Sequence, residues 1–181
     1  MFVSRRFRLG GNPSPEGRSS GWLGRWTFAC AGMTLLLAAP SLAQNNAVPY
    51  WASIASGEAM MRTGPGKNYP GVWLYKRRDL PIRVLRRHES WRLVEDPDGA
   101  RGWMLVALLS ERRTAMVKPG EPRAIHARPE EGSRVAYRAE PGVVGRIEEC
   151  ASGWCQIQIG KRKGHIRMTD IWGVSDGEVV D

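Results

Sequence analysis

The chain has 181 residues and a formal net charge of +9, from 27 Lys and Arg against 18 Asp and Glu. Its basic residues are scattered rather than clustered, and the short run KRK at 161–163 has the composition of a turn. A nucleic-acid-binding patch is therefore not expected, because such a patch concentrates its cations on one face.

The first 43 residues have the layout of a secretory signal peptide. A stretch with five arginines precedes the apolar run WTFACAGMTLLLAA at 26–39, and Ser41 and Ala43 then occupy the −3 and −1 positions of a cleavage site. Basic, apolar and small-residue regions in this order direct export. The apolar run is short for a membrane anchor, although an uncleaved anchor is the alternative. We predict cleavage after Ala43 and a periplasmic or secreted protein.

Cleavage changes the composition of the working protein. It removes five arginines, one glutamate and Cys30, which leaves 22 Lys and Arg against 17 Asp and Glu, a net charge of +5. A modest positive charge suits an anionic cell envelope or acidic peptides. Two cysteines remain, Cys150 and Cys155, and an even number in an exported chain favours a disulfide.

The remaining chain divides into two similar units. A lead at 44–55 precedes unit one at 56–110, a linker at 111–121 precedes unit two at 122–175, and a tail at 176–181 follows. Neither unit has a long helical period. Both have short apolar stretches separated by Gly, Pro, Asp and Asn, which is typical of small all-β domains.

The elements of unit one are predicted in chain order. SGEAMMRTGPGKNYPGV begins as a strand and ends in a long Gly/Pro loop, and VWLYKRR forms the second strand. In LPIRVLRR, Ile82 and Val84 alternate with Arg83, so one face is expected to be buried. SWRLVEDPDGARGWML predicts a hairpin, since its Asp-Gly pair favours a tight turn. VALLS predicts a single helical turn.

Unit two repeats this order and ends in the closing turn RMTDIWGV. Three pairs of equivalent residues stand 64, 63 and 62 positions apart: Pro65 and Pro129, Trp91 and Trp154, Gly102 and Gly164. A drift of one residue per step is expected when turns differ in length between two copies of one fold. Each unit has about 55 residues and would be only marginally stable alone.

Unit one resembles the bacterial Src-homology-3 type domain, or bacterial SH3 domain. The family pattern falls on nine residues of MMRTGPGKNYPGVW and SWRLVEDPDGARGWM: Met60, Met61, Arg62, Gly64, Pro65, Tyr69, Trp91, Gly102 and Trp103. Unit two resembles the family less closely, because it has His126, Arg128 and His165 at the positions of Arg62, Gly64 and Trp103.

The resemblance implies two five-stranded, partly open β-barrels in tandem. It also implies a non-catalytic binding module that docks on peptidoglycan peptides or on a cell-envelope protein, through a shallow groove near the long first loop. The tandem layout, the cysteine pair and the ending IWGV further resemble exported proteins of alphaproteobacterial type. The alternative is a structural or scaffolding protein that uses the paired barrels as an interaction surface.

Four residues of unit one are candidates for the groove. Tyr69, Trp73 and Trp103 can pack on one side and offer a ring face or a polar tip to a ligand. Arg62 can pair with a ligand carboxylate in a bidentate fork. For each residue the competing interpretation is a role in folding alone. Trp91 and Trp154 each begin a strand after a turn, and we expect both to be half-buried.

Residue patterns for catalysis are missing from the sequence. The histidines His88, His126 and His165 belong to no metal or nucleophile motif, and neither a Gly-x-Ser-x-Gly elbow nor a His-Glu-x-x-His motif occurs. We therefore expect no enzyme activity, no cofactor and no metal. A fragment of an envelope hydrolase is a minor alternative.

Cys150 and Cys155 admit three interpretations. A redox pair is more typically C-x-x-C at a helix start, where the helix dipole lowers the thiol pKa, and a zinc site needs two further ligands. A disulfide across a hairpin fits better, with a four-residue loop from Ala151 to Trp154. Alternation from Ile147 and from Ile157 puts the two cysteines on opposite faces, so we predict a β-bulge near 148–149.

Overall fold

The computed structural model describes residues 47–181, and its regular structure there consists of β-strands and two 3₁₀ turns. The predicted all-β fold is confirmed. The predicted signal peptide and its cleavage site at Ala43 lie outside the described residues. Within 47–181, no helix could span a bilayer.

The strands form two sheets of seven. The first sheet, here called the first barrel, contains β1 (Tyr50–Ile54), β2 (Ala59–Arg62), β3 (Gly71–Tyr75), β4 (Pro81–His88), β5 (Trp91–Glu95), β6 (Arg101–Leu105) and β7 (Leu109–Ser110). The second sheet, the second barrel, contains β8 (Thr114–Val117), β9 (Arg123–His126), β10 (Val135–Ala139), β11 (Val144–Ala151), β12 (Trp154–Ile159), β13 (Arg162–Arg167) and β14 (Ile171–Trp172). The 3₁₀ turns Val106–Leu108 and Met168–Asp170 precede the last strand of each barrel.

The two barrels have the same topology, which confirms the predicted repeat. The strand orders are β3-β2-β6-β5-β4-β1-β7 and β10-β9-β13-β12-β11-β8-β14. Each sheet has seven strands, whereas the resemblance implied five. The additional strands include β1, which lies in the predicted lead, and β8, which lies in the predicted linker. Each pairs with the long strand of its own barrel, β4 or β11.

Each barrel encloses its own apolar core. Ile54, Met61 and Ile82 are fully buried in the first core, and Ile125 and Ile157 are fully buried in the second. Strands β1, β2 and β4 supply the first three residues, and β9 and β12 supply the other two. The burial of Ile82 and Ile157 agrees with the predicted alternation. Trp91 and Trp154 are both partly buried, as predicted.

A β-bulge interrupts the long strand of each barrel. The register between β11 and β12 shifts between Ile147 and Glu149, as the sequence predicted. The register between β4 and β5 shifts at the equivalent place, between Val84 and Arg86. The bulge is therefore common to both copies and does not depend on the cysteines.

The bulge brings Cys150 to the inner face. Cys150 lies directly opposite Cys155, both side chains are buried, and the two are joined in a disulfide with Cα atoms 4.1 Å apart. Ala151 also pairs with Trp154, so the loop between the strands has two residues instead of the predicted four. The equivalent pair in the first barrel is Arg87 and Arg92, so the disulfide is specific to the second copy.

The barrels pack against each other within one compact unit of the chain. Trp51 on β1 meets Trp172 on β14 edge to face, with ring centroids 4.7 Å apart, and its indole nitrogen donates to the Ser175 hydroxyl at 3.0 Å. Met116 and Val144 of the second barrel pack against the core of the first. The interface is therefore apolar at its centre.

The C-terminal tail is fixed beside this interface. Arg113 Nη1 donates to the Glu178 carboxylate at 2.6 Å, and the backbone of Val180 exchanges two hydrogen bonds with Cys150. Burial alone would raise the pKa of Glu178, but hydrogen bonds from Arg113 and Ser175 outweigh it and lower this pKa below its ordinary value of 4.5. The tail is thus held by a carboxylate that must stay ionised.

Removal of the disulfide should destabilise the second barrel. For the double variant Cys150→Ser, Cys155→Ser we expect the free energy of unfolding to fall by about 2 kcal/mol, the loop-entropy value for a short ring. Urea denaturation measures this change. Labelling of free thiols without reductant is the control, and two labelled cysteines in the untreated protein would contradict the disulfide.

The tail contact should depend on pH. The folded-state pKa of Glu178 is lowered, so its contribution to stability is present above the ordinary carboxyl pKa and is lost as pH falls through the folded value. At neutral pH, Glu178→Gln should lower the free energy of unfolding by about 1 kcal/mol. In acid, the variant and the parent should converge. Urea midpoints at both pH values test this, with the exposed Glu121→Gln as control.

Candidate functional site

Four side chains of the first barrel form a row across its outer face. Arg86, Leu93, Trp103 and Arg62 are successive register partners on β4, β5, β6 and β2. Directly opposite residues of antiparallel strands project to the same side of a sheet. The row therefore places an aromatic ring between two arginines, and two of the predicted groove residues belong to it.

Trp103 is the centre of this row. The imidazole of His88 meets its ring edge to face at a centroid distance of 6.1 Å, and the Arg86 guanidinium carbon lies 6.0 Å from the ring centroid. A guanidinium at this distance is attracted by the electron-rich face of the indole. The surface around Trp103 is therefore cationic as well as aromatic.

The long first loop closes over one end of the row. Arg62 Nη1 donates to the backbone carbonyl of Tyr69 at 2.7 Å, which fixes the loop to β2. The Tyr69 ring lies against Gly64, where a Cβ would stand 2.3 Å from the ring, and 43% of the tyrosine remains exposed. The structure thus brings Arg62, Tyr69 and Trp103 together, with one nitrogen of Arg62 already engaged.

Trp73 lies apart on the edge strand β3. It is 59% exposed and stands between Val72 and Leu74, which are also exposed. It contributes to an apolar strip along the sheet edge. The ligand role of all four candidate residues stays a prediction.

We define the groove as Arg62, Tyr69 and Trp103 with two further residues, His88 and Arg86. The sequence did not indicate these two. Their place beside Trp103 depends on the β-bulge in β4, and that bulge was predicted only in the second copy. The repeat offered a signal, because Arg86 aligns with Glu149 next to the predicted bulge.

The equivalent row of the second barrel has different chemistry. Its members are Glu149, Gln156, His165 and His126, again successive register partners. Glu149, Gln156 and His165 line a cleft of about 130 Å³, which Trp154 also lines. One carboxylate and two imidazoles replace the arginine, tryptophan and arginine of the first barrel. The two barrels therefore do not present the same groove.

His126 nevertheless keeps the structural task of Arg62. Its Nδ1 lies 3.0 Å from the carbonyl oxygen of Ser133, which stands where Tyr69 stands in the first barrel. A carbonyl only accepts, so Nδ1 carries the proton in this contact. The change from Arg62 to His126 exchanges the donor and preserves the fixed loop.

A second exchange in the same loop follows the first. Ser133 is small and its hydroxyl accepts from the backbone nitrogen of Arg128 at 2.9 Å. No tyrosine ring then occupies the space above residue 128, and a side chain is tolerated where the first barrel needs Gly64. The departures of unit two from the family pattern are therefore coupled.

One tyrosine next to the groove strands has a perturbed acidity. Burial raises the pKa of Tyr75, and its hydrogen bond of 2.7 Å to the Asp96 carboxylate raises it further. Asp96 also accepts from the backbone nitrogens of Asp98 and Ala100. Tyr75 therefore acts as a neutral donor that ties β3 to the hairpin turn.

Among residues 47–181, no group of three His, Cys, Asp or Glu side chains is arranged to hold a metal ion. The sulfurs of Cys150 and Cys155 are joined to each other. Within the same range, the His165 Nδ1 is buried without a hydrogen-bond partner.

Comparison with known proteins identifies a family and a few distant structures. The model of the bacterial SH3 domain matches residues 55–111 and 118–173, more than half of the chain. No protein with a curated description matches the sequence significantly.

The similar solved structures include NlpC2 from Trichomonas vaginalis, at 12% identity over 68% of this chain and 48% of that one, with a TM-score of 0.31. They also include an NlpC/P60 family protein from Bacillus cereus ATCC 10987, at 13% identity over 67% and 55%, with a TM-score of 0.31. The chain spans about half the length of these proteins. Likeness at this level carries no argument about function.

The contact between Gly64 and Tyr69 predicts that a substitution of Tyr69 restores the stability lost by a substitution of Gly64. Gly64→Ala should lower the free energy of unfolding by about 1–3 kcal/mol, because the added methyl overlaps the ring. Tyr69→Ser should remove most of that cost in the double variant, as in the second barrel. Urea denaturation of both singles and the double gives the coupling. Gly57→Ala is the control, since its Cβ would meet nothing within 4 Å; additive costs would contradict the contact.

Proposed function

Because the chain belongs to the bacterial SH3 domain family, we propose that it is a non-catalytic module that binds cell-wall peptides through the groove of the first barrel. The observation that carries this proposal is the joining of Tyr69 and Trp103 to Arg62 and Arg86 on one outer face. The groove combines ring surface with positive charge and contains no carboxylate.

Such a surface suits a short peptide with acidic groups. An exposed ring offers apolar contact at little entropic cost, and a guanidinium binds a carboxylate through paired hydrogen bonds. Arg86 is exposed and has its planar group near the Trp103 ring, so it can meet a carboxylate while the ring meets the peptide backbone. Cell-wall peptides carry free carboxylates and small side chains, and are therefore the ligand class we favour.

Export of the protein is part of the proposal. The disulfide between Cys150 and Cys155 is consistent with an oxidising compartment, because thiols stay reduced in the cytosol. An extracytoplasmic location would place the groove beside its proposed ligand.

The scaffolding alternative rests on a different observation. Val72, Trp73 and Leu74 are exposed in succession on the edge strand β3. An unpaired strand edge with apolar side chains can accept a strand of another protein. The groove proposal is preferred, since it explains the charged and aromatic residues together.

The groove can be tested with purified cell-wall sacculi. Tyr69→Ala, Trp103→Ala should reduce retention of the protein on sacculi by at least about tenfold, because aromatic anchors dominate such interfaces. Val106→Ala, an exposed apolar residue outside the groove, should leave retention unchanged.

Thermal unfolding must show that the double variant is folded. Arg86→Gln, at an exposed position, is a second variant that spares the packing and should also weaken retention. Unchanged retention of both folded variants would refute the groove assignment. Loss of retention only after Trp73→Ala would favour the strand edge instead.

A further inference from the structure

A second row of side chains crosses the outer face of each barrel, next to the groove row. In the first barrel its members are Trp51, Arg83, Glu95 and Arg101, on β1, β4, β5 and β6. Each of its cations has a partner: Arg101 pairs with Glu95 at 2.7 Å, and the Arg83 guanidinium lies 5.8 Å from the Trp51 ring centroid. This row has no unsatisfied cation to offer.

The equivalent row of the second barrel lacks both of these partners, the carboxylate and the aromatic ring. Its members are Thr114, Arg146, Gln158 and Lys163. Gln158 occupies the place of Glu95, and Thr114 occupies the place of Trp51. Lys163 pairs with Glu148, but among residues 47–181 Arg146 has neither a carboxylate nor an aromatic ring as partner.

A cleft opens where the tryptophan is replaced by threonine. It has a volume of about 260 Å³, and Asp79 and Arg112 from outside the row line it together with Thr114, Arg146 and Gln158. The Thr114 side chain is 3% exposed, and its hydroxyl has no hydrogen-bond partner in the described part of the chain. An exposed cation, Arg146, and a residue with an unused hydroxyl, Thr114, therefore line one cavity.

We propose that this cleft binds the carboxylate of a peptide end group. Arg112 is paired with Asp79 at 3.1 Å, so the three charged side chains of the cleft, Arg112, Arg146 and Asp79, sum to +1. One monoanion neutralises that charge, whereas a phosphate dianion would leave excess negative charge beside Asp79. The cavity is also smaller than typical ligand pockets, which suits an end group rather than a whole ligand. The cleft is distinct from the groove of the first barrel and does not depend on it.

The binding of a simple carboxylate probe tests the inference. The probes are N-acetylalanylalanine with a free carboxylate, its C-terminal amide, and inorganic phosphate. The free acid should shift the backbone amide resonances of Gly145 and Gly160, which line the cleft, in a saturable way. At a pH where inorganic phosphate is mainly the dianion, the amide and phosphate should bind at least about tenfold more weakly, since the amide carries no negative charge and phosphate carries a second one.

Variants distinguish binding in the cleft from non-specific attraction of the anionic probe to a positively charged protein. Gln158→Glu restores the acid found in the first barrel and should weaken binding of the free acid by about tenfold or more, because the added carboxylate brings the summed charge of the cleft from +1 to zero. Arg146→Gln should have a similar effect. Arg138→Gln makes the same charge change at an exposed position outside the cleft and should leave binding unchanged. Gln158→Glu reproduces an arrangement already present in the first barrel, so it guards against a misfolded variant.

Some outcomes would overturn the inference. A carboxylate site at Arg146 would be excluded if the acid and the amide bind equally, or if phosphate binds more tightly than the acid. It would also be excluded if Arg138→Gln weakens binding of the acid as much as Arg146→Gln does. Sacculus retention distinguishes this failure from failure of the groove, because Tyr69 and Trp103 lie outside the cleft. If the parent protein fails to bind the free-acid probe but is still retained on sacculi, the cleft proposal is refuted and the groove proposal is not.

Discussion

The β-bulge in the long strand of each barrel determines which side chains the outer face presents. Adding one residue to a strand moves every later side chain to the opposite face. Without the bulge, alternation from the buried Val84 would direct Arg86 into the core of the first barrel. Alternation from Ile147 would likewise take Cys150 to the surface of the second. The cationic surface around Trp103 and the buried disulfide thus depend on the same irregularity of the backbone.

Two copies of this backbone carry different chemistry because changes within the second copy compensate each other. His126 fixes the first loop through the Ser133 carbonyl as Arg62 does through that of Tyr69. Ser133 in turn removes the ring that requires Gly64 in the first barrel. The first loop therefore has the same turn pattern in both barrels, although the residues that fix it differ between the two copies. Loss of the family pattern at these positions is therefore no sign of a weakened fold.

The sequence predicted what depends on neighbouring residues. The repeat, the hairpins, the 3₁₀ turns and the disulfide follow from turn residues and alternation, which act over a few positions. The strands β1 and β8 were not predicted, because each is short and is defined by pairing with a distant strand. His88 and Arg86 were missed for a related reason: alternation gave no sign of the bulge in β4. The hydrogen bond from Arg62 to the Tyr69 carbonyl depends on the closed loop and has no local signal.

The packing of the barrels explains why their second rows had to diverge. Trp51 of the first barrel contacts Trp172 and Ser175 of the second, so an aromatic ring at that place is partly shielded from water. Thr114 at the equivalent place faces a different environment, since Asp79 and Arg112 line the cleft above it. A large ring there would occupy that cleft and take the place of its charged rim. Because a tandem pair puts equivalent faces in unequal surroundings, identical rows could not satisfy both, and a small residue in the second barrel is the consequence of the way the pair is packed.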